Sequence, residues 1–131
     1  MSRGERGAAS LLMLGVMAIT LLLGAALGSV GVYFRTRVEA ATAADAAALA
    51  AAPVTFLPFG ASGSPTDEAR RLAAANGATL ISCVCQPDPS WDPRTVHVEV
   101  EKVAHLWPAG RIAVRAVGKA EFTPARLLSS E

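Results

Sequence analysis

The residues best suited to chemistry are two cysteines and two histidines. Cys83 and Cys85 are separated by one residue, and His97 and His105 follow downstream. On an extended strand, residues i and i+2 share a face, with Cα atoms ~6.6 Å apart. That is the upper limit of a disulfide's reach, so a bridge within the chain requires a kink. Two accounts stay open: a pair of small buried apolar residues, or a bridge, within or between chains, formed in an oxidising compartment. With the histidines the pair makes a C-x-C…H…H set, which is tighter than the usual C-x₂₋₄-C of structural zinc. His97 falls on the polar face of an alternating strand, where exposed histidines are ordinary, and no metal is expected. Asp88, Ser90, Asp92 and Glu99 imitate a calcium loop, but its sixth position is Pro93, where the turn needs glycine. Pro87, Pro89 and Pro93 make the segment a rigid turn instead. No nucleophile–base–orienter set and no glycine-rich phosphate loop occurs. No enzyme activity, cofactor or small-molecule substrate is expected. A formal net charge of +1 over 131 residues argues against a nucleic-acid groove.

All of these residues depend on an element far upstream. Leu11–Phe34, LLMLGVMAITLLLGAALGSVGVYF, carries no charge and no proline. As a helix it is ~36 Å long at ~1.5 Å per residue, enough to cross the ~30 Å hydrocarbon core of a bilayer. About a dozen Leu, Ile, Val and Phe residues favour insertion by ~0.3–0.6 kcal/mol each, roughly 4 kcal/mol gross. A soluble core helix would keep a polar face. The run is therefore read as a transmembrane helix with membrane lipid around it. The polar leader Met1–Gly7 carries Arg3 and Arg6, as a secretory signal would. A signal's apolar region, however, is about 7–15 residues with a cleavage site close behind. Here the run is longer, Arg35 and Arg37 follow it, and the best A-x-A candidates lie near residues 48–52. A stable anchor is expected, and with arginines level on both sides the charge rule does not orient it.

Arg35–Ala52 continues without a breaker and is rich in alanine, the best helix former. One rod is expected over residues 8–52, with Glu39 and Asp45 as lone solvated charges. Gly24 and Gly28 form a G-x-x-x-G beside a second small pair, Ala25 and Ser29, a spacing that lets two membrane helices approach closely. Residues 53–65 read as a linker, with Phe56, Leu57 and Phe59 either on the membrane surface or over the small domain. Ser64 is a candidate N-cap, with Pro65 in the first helical position, Asp67 three residues after the cap and Asn76-Gly77 as the stop.

Three strand-like runs follow. Residues 78–85 are apolar on both faces, which suits a central or well-covered strand. Thr95–Val103 alternates, with Val96, Val98 and Val100 inward. Arg111–Gly118 is shorter and mixed, and residues 119–131 read as a frayed tail. The fold class is α+β: a long N-terminal transmembrane helix, a short helix and a small three-stranded antiparallel sheet. Its units are leader 1–7, helix 8–52, linker 53–65, domain 66–118 and tail 119–131.

This order resembles the TadE-like proteins of the tight-adherence (Flp) pilus and type II/IV secretion systems, especially the small ones of high-GC Gram-positive bacteria. ERGAASLLMLGVMAITLLLG at 5–24, AADAAALAAA at 43–52, ARRLAAANGATLISC at 69–83 and VHVEVE at 96–101 carry the likeness. The resemblance implies a pilin-like minor pilin or assembly subunit in the cytoplasmic membrane or an extracellular pilus. The N-terminus would be cytoplasmic, the C-terminal domain outside, and the partners other pilin-like or secretion-system subunits. It also implies processing after Gly7 with Ala8 as the new N-terminus. The fifth mature residue would then be Leu12, where the family pattern has glutamate. Leu12 cannot pair with a neighbour's amino terminus, so an uncleaved anchor stands beside the processed subunit. The alternative from the residues alone is an exported binding module whose Cys/His set holds a metal, with the span serving only as a signal-anchor.

Overall fold

The computed structural model describes residues 3–59 and 63–128. The first two residues of the leader, positions 60–62 of the linker, and positions 129–131 of the tail lie outside the described residues. Arg3–Val54 is one α-helix, α1, and it takes Pro53 into its last turn. Proline cannot donate to the carbonyl four residues back, and the helix ends one residue later.

The two halves of α1 differ in their surroundings. The most apolar eighteen-residue stretch has a mean hydropathy of 2.4 and none of it is buried. From Thr36 onward, positions 36, 40, 43, 44, 47, 48, 51 and 52 are buried. Steps of three and four trace one face of a 3.6-residue helix, and all of these residues except Thr36 are alanine. With only a methyl on that face, the helix axis can lie close to whatever packs against it. Glu39 is not a lone charge, as expected from the sequence, because Arg35 and Lys102 both reach it.

Pro65–Ala75 forms α2, which starts as its punctuation predicts. The Ser64 side chain accepts from the Asp67 backbone N–H, and Pro65 occupies the first turn. It stops at Asn76, and Gly77 follows with φ +69°, a left-handed position that glycine takes at no steric cost. Ala69 and Ala73 face the core.

Thr79–Val84 (β1), Arg94–Leu106 (β2) and Gly110–Phe122 (β3) make an antiparallel sheet in the order β1-β2-β3. Its inner face lies on α1 and α2. Val96, Val98 and Val100 pack against the alanines of residues 43–52 and against Ala69 and Ala73. A smaller cluster of Ala40, Ala104, Leu106 and Val114 continues along α1 and draws in Tyr33.

Two expectations are corrected here, and one alternative left open by the sequence is decided. β1 is an edge strand and not a covered one, with Ile81 43% and Val84 62% exposed. β2 pairs with β1 along one edge and with β3 along the other, and so takes the centre. β3 runs past Gly118 to Phe122, with Arg94 opposite Phe122, and Pro124–Leu128 adds a short 3-10 helix. The stretch read as a frayed tail continues the inward series Val114, Ala116, Gly118 with Ala120 and Phe122, hidden in sequence behind Gly118-Lys119. Phe56, finally, is a core residue at 2% exposure. Thr55 beside it is also buried, and its carbonyl accepts from the Asp88 N–H at 2.8 Å.

Candidate interaction surface

The two cysteines sit where β1 ends. The pairing register shifts between Leu80 and Ser82, and such a bulge moves every later side chain to the opposite face. Leu80 and Cys83 therefore both pack on the core, as does Cys85, which is buried. Cys83 and Cys85 are joined by a disulfide, and their Cα atoms are 5.4 Å apart. This is shorter than two strand rises because Cys85 already lies beyond the last residue of β1.

The same corner holds Arg94, the first residue of β2. Its guanidinium donates to the backbone carbonyls of Asp88, at 2.6 Å, and of Ser90. It also stands 5.8 Å from the centre of the Phe56 ring. Phe56 in turn meets Trp91 edge-on, with centroids 4.9 Å apart. The Ser90 N–H donates to Asp88 Oδ1 at 2.8 Å, and this bond holds the Asp88 carboxyl below its usual range. The turn that imitates a calcium loop is thus wrapped around an arginine, which supplies the positive charge itself.

The structure does not assemble a Cys/His set. His97 and His105 stand eight residues apart on β2, ~27 Å along a strand, and both sulfurs are in the disulfide. Among the described residues no three His, Cys, Asp or Glu side chains are grouped to hold a metal ion.

A second place where elements meet is on α1. Gly24 and Gly28 are exposed, and a Cβ on either would meet nothing. The neighbouring small pair, Ala25 and Ser29, is half-buried, because the turn between β2 and β3 reaches it. Ser29 Oγ donates to the Trp107 carbonyl at 2.8 Å and also lies 3.0 Å from the Ala25 carbonyl of its own helix. Gly28, Val32, His105 and Trp107 complete a shallow cleft of about 310 Å³. The Trp107 side chain is 78% exposed. Gly7 and Ala8 lie in the uninterrupted first part of α1, and Ala8 is exposed.

Between these places, Glu39 ties the helix to the sheet. Its carboxylate accepts from Lys102 Nζ and from Arg35 Nε, both at 2.8 Å. Lys102, then Arg35, holds its carboxyl below the usual value. Sequence reasoning missed this pair, Arg94 and Trp107. Only Trp107 left a local signal, as an aromatic residue in the turn-forming segment AHLWPAG.

These features define a class: a rod-and-head protein in which one helix is bare where it is apolar and covered where it is alanine-rich. Residues 7–54 match the Tad family of Flp pilus-assembly TadE/G-like proteins. Over that helix, and not over the head, the chain is similar to TadE/G-like proteins of Flp pilus assembly. No curated protein and no solved structure gives a significant match to the chain.

Proposed function

We propose that this protein is a non-enzymatic structural subunit, a minor pilin or assembly component, of a Flp-type pilus or related secretion system. α1 holds it in the cytoplasmic membrane, with the N-terminus cytoplasmic and the head outside. One observation carries the reading: a single unbroken helix supplies both the bare apolar segment and the alanine face on which the head's valines pack. Such a helix can lie among other membrane helices while its head projects from them. The reading of the span as a mere signal fits less well. Cleavage near residue 53 would remove the alanines of 43–52 from the core of the domain it released.

Gly24 and Gly28 are the surface offered to partner helices, open and without a Cβ to hold a neighbour off. In-cell crosslinking of the full chain to other pilin-like subunits is the test. Gly24→Leu with Gly28→Leu abolishes the crosslink if this face is the contact, and an unchanged crosslink refutes it. N-terminal sequencing of the mature protein decides the processing: a start at Ala8 marks a cleaved leader, and an intact Met1 or Ser2 a plain anchor.

A further inference from the structure

We propose that the tip of the β2–β3 hairpin is a lipid-binding surface, with Trp107 seated among the phospholipid headgroups of the leaflet nearest the head. The inference rests on α1 spanning the bilayer and adds where the head stands relative to it.

The depth of the tip is fixed by one hydrogen bond. Ser29 Oγ holds the Trp107 carbonyl at 2.8 Å, and Ser29 lies inside the uncharged run Leu11–Phe34. From Gly7 to Ser29 the helix rises ~33 Å, against a hydrocarbon core of ~30 Å. Ser29, and with it the tip, therefore falls at the boundary of the core. The headgroup layer adds ~5–7 Å on each side. Arg35, another ~9 Å along the helix, emerges just beyond it.

The chemistry of the tip suits that depth. Tryptophan favours the interface, where its ring meets the acyl chains and its N–H the polar layer. Trp107 is 78% exposed and lines a cleft with Val32, which is also exposed. His105 and Arg111 stand opposite each other at the end of the β2–β3 ladder. No acidic residue occurs between Lys102 and Arg115, nor between Glu5 and Glu39. Glu39, farther along α1, is engaged by Arg35 and Lys102. Arg111, near the apolar tip, suits an anionic phospholipid phosphate.

The second tryptophan supplies an internal control, since Trp91 packs on Phe56 at the opposite end of the sheet. The full chain is reconstituted in phosphatidylcholine–phosphatidylglycerol vesicles carrying doxyl-labelled lipid, with the label near the glycerol or near the chain end. In Trp91→Phe, the remaining Trp107 emission is quenched several times more strongly by the shallow label than by the deep one. In Trp107→Phe, the remaining Trp91 emission is unaffected by either. A protein that floats with the vesicles while Trp107 escapes quenching overturns the inference and leaves the anchor intact. A protein that fails to float overturns both. Blue-shifted, unquenched Trp107 emission that reverts on dilution in lipid assigns the tip to a second copy of the chain and also overturns it.

Discussion

Gly118 of β3 lies directly on the backbone of Ala44 in α1: a Cβ built on it would sit 2.3 Å from the Ala44 carbonyl carbon and oxygen. Helix and sheet meet there with no side chain between them. Alanine on one side and glycine on the other let the two backbones come into direct contact. The first prediction is that Gly118→Ala separates them. Main chain is what the methyl would strike, so no side-chain rotation relieves it. The expected loss is about 3 kcal/mol, the upper range for overpacking a core, read as a lowered thermal midpoint of the detergent-solubilised chain. An unchanged midpoint would show that the layers can part freely.

Phe56 anchors the other end of the head. Phe56→Ala removes a ring that is 2% exposed and strips Trp91 and Phe122 of their aromatic neighbour. Truncations of this kind cost about 3–5 kcal/mol. Chemical denaturation measures the loss, and the Trp91 emission should shift to the red as its contact disappears.

The stability of the head should fall in acid. Lys102 and Arg35 lower the pKa of Glu39; Ser64 and Arg70 do so for Asp67, Arg71 for Glu68, and the Ser90 N–H for Asp88. A carboxylate depressed in the folded state stabilises it fully above the ordinary value of the unfolded chain. That contribution is lost as pH falls through the depressed folded value. The thermal midpoint should therefore be flat above about pH 5 and decline below about pH 4. Glu39→Gln should flatten part of the decline. A midpoint that rises on acidification would contradict the assignment.

Removing the disulfide should have a modest effect. The bridge joins residues only two apart, and so short a closed loop restrains the unfolded chain by only about 1–2 kcal/mol. Cys83→Ala with Cys85→Ala should lower the denaturation midpoint by no more than that. In the native chain, alkylation of both sulfurs should require prior reduction. A head that fails to fold without the bridge would show that the corner around Arg94 depends on it.

The sequence alone determined the elements whose cause is local. A run without charge or proline forms a helix long enough for a bilayer. Ser64, Pro65 and Asn76-Gly77 delimit α2, and strict alternation marks β2, because each depends only on near neighbours in the chain. The tertiary structure decided everything that depends on a distant partner. The alanines of 43–52 read as good helix formers, yet they are the floor of the head's core, because small side chains let a sheet backbone reach the helix. Ile81 and Val84 read as covered and are exposed, since edge or centre is fixed by which strands pair. The bulge after Leu80 set which face the cysteines share, and the chain's turn out of β1 brought them within bonding reach. Ser29 and Trp107 are 78 residues apart, and no local pattern could have placed them together. Their contact exists because a long hairpin, laid along α1 by its valines, ends at that turn of the helix.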